Sequence, residues 1–225
     1  MFFVPHDVGK VMELLGGEER FLNRLEYFHT SGLADIGNEP VFLTVYMPHY
    51  AGRPGLSAER VHDCQSAFLC SLLPHACDGV KMDSLILRID IPSRFNTSHA
   101  GLPGNDDSGA MASFTLFSMM GLFPNPGQNV YFITPPFFPS ISITNPLTNK
   151  TSTIRNVNFD NEYKRIYIQS ATLNGEVYTR NWIGHEFFTE GWTLELVLGE
   201  EESKWGTGIE DRPPSMSTGG GEMEW

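Results

Sequence analysis

The hydrophobic pattern of the chain changes its period near Pro126, and this change restricts the possible folds more than any other feature. Before Pro126, apolar residues recur about every 3.6 residues, which is typical of helices. After it, short apolar or alternating runs are separated by Pro, Asn and Gly turns, which is typical of strands. The sequence therefore predicts an α+β chain, with a helical region over residues 1–125 and an antiparallel β subdomain, one layer of a sandwich, over residues 126–200.

Three helices are predicted in the first part of the helical region. Two apolar faces, at residues 8–15 and 21–28, are separated by a pair of glycines, which predicts two successive helices. Ser57 is predicted as the N-cap of a third helix over residues 58–65, with His62 among the polar residues on its solvent side.

A fourth helix is predicted over residues 108–120, ending at Gly121. It is apolar almost all round, so we expect it to be buried between neighbouring elements. The segment 201–225 is rich in acidic residues, Pro and Gly, and this composition predicts an exposed, partly disordered tail.

The charge of the chain limits its partners. The formal net charge is -12, which argues against a nucleic-acid partner because such proteins need clustered Lys and Arg. No apolar run is long enough to cross a membrane, and the first residues lack the pattern of a signal peptide, so neither a membrane anchor nor an export signal is expected in the chain as written. Two Asn-X-Ser/Thr triplets, at Asn96 and Asn149, would be glycan acceptors in the secretory pathway.

Three segments carry a resemblance to a known family: FFVPHDVGKVMELLGG near the start, DIGNEP at residues 35–40, and GLPGNDDSGAMASFTLFSMMGLFPNPGQ at residues 101–128. Together with the downstream strings TSTIRNVNFD and YIQSATLNGEVYTRNWIGHEFF, they resemble glycoside hydrolase family 92. The resemblance implies a partial (α/α)6 helical barrel followed by an antiparallel β-sandwich-like subdomain. It also implies hydrolysis of terminal α-linked mannose, α-1,2 above all, from mannosyl-oligosaccharides or N-glycans, with inversion and a bound Ca²⁺.

The resemblance assigns catalytic roles to two neighbouring carboxylates. Inversion needs an acid for the leaving oxygen and a base for the attacking water. Asp107 is identified as the candidate base and Asp106 as the second candidate, with Asn105 beside them as a substrate-binding residue. The alternative is that both aspartates cap the helix that follows.

The resemblance also assigns a calcium segment and a further substrate-binding segment. Asn38 and Glu39 match the calcium segment, and a carboxamide beside a carboxylate offers the oxygens that this cation prefers. The alternative for Glu39 is a solvent-facing loop residue. His6 and Asp7 resemble a stretch close to the acid of the family and are candidate substrate-binding residues, although helix capping by Asp7 is the simpler account.

The chain departs from the family pattern in two places. The Glu-Gly-Trp-type segment that carries the general acid is not among these residues, so we expect the chain to be the C-terminal part of the enzyme, inactive without the missing N-terminal part. Residues 67–93 form a predicted insertion, either translated intron or a genuine hairpin or helix. It contains two of the three cysteines, Cys70 and Cys77; these and Cys64 lack the paired spacing of a zinc site.

Two other classes of function stay open at this point. A non-catalytic, calcium-dependent carbohydrate-binding fragment would keep Asn38 and Glu39 without the acid. A structural β module with attached helices would show no dependence on sugar. The triplets at Asn96 and Asn149, together with the habit of the family, point to a secreted protein.

Overall fold

The computed structural model describes residues 2–62 and 98–218 and confirms a mixed architecture of helices and sheets. The helices are Val8–Leu14 (α1), Glu18–Thr30 (α2), Phe42–Tyr46 (α3), residues 54–62 (α4), Ala110–Met120 (α5) and Glu186–Glu190 (α6). The strands are Leu122–Pro124 (β1), Tyr131–Ile133 (β2), Ser140–Thr144 (β3), Thr151–Val157 (β4), Tyr167–Leu173 (β5), Glu176–Val177 (β6), Trp182–Ile183 (β7) and Thr193–Gly199 (β8). The described residues do not include the three cysteines or the predicted insertion at 67–93. Of the triplet that begins at Asn96, they include only Ser98.

Helices α1 and α2 confirm the first two predicted helices. Asp7 caps α1, and Gly17 is the N-cap of α2 with a φ of 104°. Only glycine adopts that backbone conformation readily, so the chain turns there between the two helices. Val8 and Phe21 are fully buried, which places the apolar faces of both helices in one core.

Helix α4 corrects the prediction made around Ser57. The helix already includes Pro54, and Ser57 is a buried residue of its first turn, with its hydroxyl 2.9 Å from His49 Nδ1. Proline is well suited to a first helical turn, which explains the earlier start. The prediction that His62 faces solvent was also wrong, because this residue is buried and its Nε2 lies 3.0 Å from the carbonyl oxygen of Pro135.

Helix α5 begins at Ala110, after a 3-10 turn at Asp107–Gly109, and ends as predicted at Gly121, which has a φ of 74°. The expectation of burial on all sides was wrong for the described residues. Met111 and Phe114 are buried, whereas the side chain of Leu116 is 59% exposed. Helix α5 therefore packs one of its faces against a core and leaves its opposite face open to solvent.

The strands form two sheets. A three-stranded sheet has the order β1-β2-β7, and a five-stranded sheet has the order β3-β4-β8-β5-β6. The pairing is antiparallel, as predicted, except that β4 and β8 are parallel, with Ile154 opposite Leu194. Ile133 of the small sheet and Ile154 of the large sheet share one core, so the two sheets pack against each other.

A second core joins the helices to the small sheet. It contains Phe21 and Tyr46 from the helices, and Phe132 from β2, whose ring stacks against that of Tyr46. Within residues 2–62 and 98–218, no helix is both long and apolar enough to span a membrane. The helical barrel and the division of the chain between residues 125 and 126 stay predictions.

The segment 201–218 is ordered against the rest of the molecule, contrary to the prediction of a disordered tail. Trp205 is 9% exposed, and its Nε1 donates a hydrogen bond of 2.9 Å to the carbonyl oxygen of Tyr178. Ser215 Oγ accepts a hydrogen bond of 2.9 Å from Gly9 N, and Arg212 pairs with Glu18. A few anchoring side chains thus outweigh the polar composition; residues 219–225 lie outside the described part.

Candidate functional site

The side chains of the two neighbouring aspartates before α5 make different contacts. Asp106 Oδ1 accepts hydrogen bonds from the backbone N–H groups of Met111, at 3.0 Å, and Ala112, at 3.3 Å. These donors belong to the first turn of α5, so Asp106 satisfies groups that the helix itself leaves unpaired. The capping alternative therefore holds for Asp106.

The carboxylate of Asp107 takes no part in this cap. Its side chain is exposed, and within the described part of the chain its carboxylate has no hydrogen bond or ion pair. The following residue, Ser108, has a φ of 54°, and Gly109 has a φ of 81°. A non-glycine residue in this left-handed region costs roughly 1–2 kcal/mol, so the surrounding structure must hold Ser108 there. The left-handed pair separates Asp107 from the start of α5 and keeps its carboxylate out of the helix cap.

The loop that carries Asp107 touches the loop that carries Asn38 and Glu39. Gly104 has a φ of 60°, and a Cβ atom added to it would collide with the carbonyl oxygen of Gly37. A Cβ added to Gly37 would in turn lie 3.3 Å from the backbone nitrogen of Gly104. The two loops therefore meet backbone to backbone, at a distance that only glycine permits.

Asn38 and Glu39 lie immediately after this contact. Asn38 is exposed and Glu39 is half-buried at the start of the 3-10 turn Glu39–Val41. Asp35 shapes the approach, because its Oδ1 accepts a hydrogen bond of 3.0 Å from Gly37 N and its carbonyl oxygen accepts one of 3.0 Å from Asn38 N. The backbone thus holds the loop without using the carboxamide of Asn38.

The side chains of Asn38 and Glu39 are of the chemical types that bind calcium. The carboxylate of Glu39 and the carboxamide of Asn38 are hard oxygen donors, as Ca²⁺ prefers, but the ion takes about 6–8 oxygens. Among residues 2–62 and 98–218 there is no group of three or more His, Cys, Asp or Glu side chains that could hold a metal. A calcium ion here would therefore depend on carbonyl, carboxamide, water or ligand oxygens as well as on Glu39.

Asp7 is held by other contacts. Its Oδ1 accepts hydrogen bonds from Lys10 N, at 3.0 Å, and from Ser217 Oγ, at 2.6 Å. Burial alone would raise its pKa, but these bonds, a further one from Ser217 N and the nearby His6 outweigh burial and leave the pKa lowered. Asp7 therefore caps α1 and ties it to the C-terminal segment.

His6 and Asn105 are both exposed. The carbonyl oxygen of His6 accepts hydrogen bonds from Met216 N, at 3.2 Å, and Gln128 Nε2, at 2.9 Å, while that of Asn105 accepts one of 2.8 Å from Asp107 N. In the described part of the chain, no hydrogen bond joins His6 or Asp7 to the loop at 104–107. The substrate-binding roles of these residues stay predictions.

The residues that sequence reasoning missed are Gly37, Gly104 and Asp35, which build the contact between the loops. The available signal was a glycine in each string, next to the polar residues that were singled out. A glycine beside functional residues often marks a close approach of two backbones.

Comparison with known proteins shows the family of this chain. The sequence profile of the glycosyl hydrolase family 92 catalytic domain matches residues 1–71 and 84–200. The unmatched residues 72–83 fall within the predicted insertion. A protein of Arthroderma benhamiae described as an uncharacterized secreted glycosidase is 57% identical over 218 residues, covering 97% of this chain and 25% of the relative.

Solved structures of the family share the fold. A family 92 α-mannosidase from Bacteroides thetaiotaomicron superposes with a TM-score of 0.74 at 25% identity, covering 96% of this chain and 26% of that one. A second structure of that enzyme, in complex with mannoimidazole, gives a TM-score of 0.72 at 22% identity, covering 96% and 27%. An inverting family 92 mannosidase of the same bacterium gives 0.70 at 24% identity, covering 95% and 29%.

The chain spans about a quarter of the length of the curated relative and of these structures. The matched profile nevertheless covers most of its residues. The chain therefore belongs to glycosyl hydrolase family 92 and forms part of the catalytic domain of that family of glycoside hydrolases.

Proposed function

We propose that this chain forms the base-bearing side of the active site of an exo-α-mannosidase that releases terminal α-linked mannose with inversion. The observation that carries the proposal is the contact between Gly37 and Gly104, which brings the Asn38–Glu39 loop beside the Asp107 loop. Membership in the family and the similarity to a solved α-mannosidase support the substrate class.

In this proposal Asp107 is the general base. An inverting hydrolase uses one carboxylate to take a proton from the attacking water while an acid on the other side of the sugar protonates the leaving oxygen, the two groups lying about 6.5–9.5 Å apart. Asp107 suits the first role because its carboxylate is exposed and is not used by the helix cap. Asp106 suits it less well, since its Oδ1 already accepts two backbone hydrogen bonds.

Asn38 and Glu39 would hold a calcium ion beside the Asp107 loop. When bound, the ion would orient and polarise hydroxyl groups of the terminal mannose. Asn38 and Glu39 would supply side-chain oxygens to the ion, and Asp35 fixes the backbone before them. His6, Asp7 and Asn105 are the candidate substrate-binding residues of this proposal.

The general acid is supplied, in this proposal, by a segment outside these 225 residues, so the chain alone is inactive. The substrate is an α-1,2-linked mannosyl-oligosaccharide or N-glycan, and the enzyme is secreted, as the Arthroderma relative is described to be. Incubation of the purified chain with calcium and α-1,2-linked mannobiose should release no mannose; release at rates typical of an enzyme would contradict this part of the proposal.

The role of Asp107 is tested by comparing Asp107→Asn with Asp106→Asn in the full-length enzyme that carries these residues. Asp107→Asn should lower kcat by about 10²–10⁴-fold, the range for losing a general base or acid, without changing the unfolding midpoint. Asp106→Asn is the matched control: its carboxamide oxygen can still accept the two backbone hydrogen bonds of the cap, so both kcat and the unfolding midpoint should stay close to the wild-type values. If Asp107→Asn keeps kcat within a factor of about three, this assignment is wrong.

The role of Asn38 and Glu39 is tested by titrating mannose into the chain in a calorimeter, with calcium and with a chelator. Calcium-dependent heat that is abolished by Glu39→Gln supports the site. If the chain binds mannose but the longer enzyme that contains it shows no mannosidase activity, the result would favour a non-catalytic carbohydrate-binding fragment. Equal heats with and without calcium would rule out calcium at this site.

A further inference from the structure

The hairpin that joins β3 to β4 carries an Asn-X-Thr triplet at its tip. Asn149, Lys150 and Thr151 are all exposed, and the middle residue is not proline. This triplet is the acceptor sequence for N-linked glycosylation, which adds a bulky, hydrophilic group at the protein surface. We infer that Asn149 is a glycosylation site of this protein when the chain passes through the secretory pathway.

The tip of the hairpin is held together without the side chain of Asn149. Asn145 stabilises the tip, because its Oδ1 accepts hydrogen bonds from Leu147 N, at 2.9 Å, and Thr148 N, at 3.4 Å. Its carbonyl oxygen also accepts a bond of 2.8 Å from Asn149 N. Within the described residues the Asn149 carboxamide makes no hydrogen bond, so a sugar attached to its Nδ2 would break no contact of the fold.

Other asparagines of the molecule are used differently. The Nδ2 atoms of Asn156 and Asn181 are buried and donate to backbone carbonyl groups. Asn149 has a φ of 55°, a backbone conformation that asparagine tolerates better than most residues. Its place in the hairpin is thus set by the backbone, while its side chain remains available.

The hydroxyl of Thr151 completes the triplet. It lies on the exposed side of β4, 2.9 Å from the hydroxyl of Thr144 on β3. Either hydroxyl can donate in this pair, so the contact is compatible with a second partner. Serine at position 151 would keep the hydroxyl and the acceptor sequence, whereas alanine would remove both.

A glycan at this position would also cover an exposed apolar side chain. Leu147, two residues before Asn149, is 94% exposed at the tip of the hairpin. Strand β3 is an edge of the five-stranded sheet, and an exposed edge can pair with another chain. A hydrophilic group beside Leu147 would obstruct such pairing.

This inference rests on entry into the secretory pathway and not on mannosidase activity. The test is therefore translation of the full chain behind a cleavable secretion leader in the presence of microsomes, with protease treatment to select the material inside. Four proteins are compared by gel mobility before and after removal of N-glycans: wild type, Asn96→Gln, Asn96→Gln with Asn149→Gln, and Asn96→Gln with Thr151→Ser.

The Asn96→Gln variant should show one glycan, removed by the glycosidase treatment. The variant that also has Asn149→Gln should show none, and the one with Thr151→Ser should retain the shift in part or in full. If the protease-protected Asn96→Gln chain migrates like the deglycosylated one, Asn149 is not an acceptor and the inference is wrong. Because no mannosidase assay enters the comparison, this failure is separate from a failure of the proposed function.

Discussion

The contact between Gly37 and Gly104 can be tested by adding a single methyl group. Gly104→Ala places a Cβ atom against the carbonyl oxygen of Gly37, in a residue whose φ is 60°. Gly127→Ala is the matched control, because Gly127 has a φ of 74° but no atom within 4 Å of the added Cβ. Both glycines are exposed, so the two variants differ mainly in the collision.

The expected magnitudes follow from this difference. An alanine in the left-handed region costs roughly 1–2 kcal/mol in either variant. Forcing an extra carbon into occupied space costs typically about 1–3 kcal/mol more, and only Gly104→Ala carries this cost. We therefore expect the free energy of unfolding to fall by about 1–2 kcal/mol for Gly127→Ala and by about 2–5 kcal/mol for Gly104→Ala.

The activity of the full-length enzyme should separate the two variants further. Relief of the collision must push the Asn38–Glu39 loop away from the Asp107 loop, and a displacement of about 1 Å in a catalytic site can cost about 10²-fold in rate. Urea unfolding and kcat/KM for an α-mannoside are measured for wild type and both variants. Equal unfolding free energies and equal kcat/KM values for the two variants would refute a functional contact between the loops.

Three further outcomes are expected from the structure. His49 and His62 are buried, and desolvation lowers the pKa of each from 6.5 to about 4, so both stabilise the fold in the neutral form. Stability should be complete above pH 6.5 and fall as the pH drops toward 4, by about 2 kcal/mol per histidine at pH 5; a urea midpoint unchanged between pH 7.5 and pH 5 would contradict this. Asp7→Ala should cost about 1–2 kcal/mol in the free energy of unfolding through the lost cap, with Ser217→Ala costing less, and no loss for Asp7→Ala would mean that the cap is dispensable. Asn181→Ala removes the donor to the buried carbonyl group of Gly206, while the carbonyl group of His49 keeps its bond from Gly52 N, and should cost about 1–3 kcal/mol by the same measurement; a loss below about 0.5 kcal/mol would show that these bonds are not formed in solution.

Much of the local structure could be predicted from the sequence because it depends on neighbouring residues. The glycine pair before α2 and Gly121 after α5 both act within a few positions. The burial of Ser57 and His62 could not be predicted in this way. Their partners, His49 and Pro135, belong to other segments, and a polar side chain gives no sign of a distant acceptor.

The candidate site shows the same limit. The residue types at Asn38, Glu39, Asp106 and Asp107 indicate the chemistry, but both aspartates suit either a cap or a base. The structure shows the cap at Asp106 and a left-handed backbone at Ser108 after Asp107; that conformation is unusual for serine and could not be predicted from its propensity. The segment 201–218 was mispredicted because composition averages over residues, whereas a few side chains, Trp205, Arg212 and Ser215, make the contacts that anchor it.

Strand β8 lies at the centre of the large sheet, parallel to β4 on one side and antiparallel to β5 on the other, yet of the five strands of this sheet it comes last along the chain. While the ribosome is still extending the chain toward residue 193, the β3-β4 and β5-β6 hairpins have no strand between them, and each presents an unpaired edge. The sheet can therefore close only after nearly the whole chain has emerged. A nascent chain stopped before Thr193 should aggregate through these open edges rather than yield a smaller folded domain.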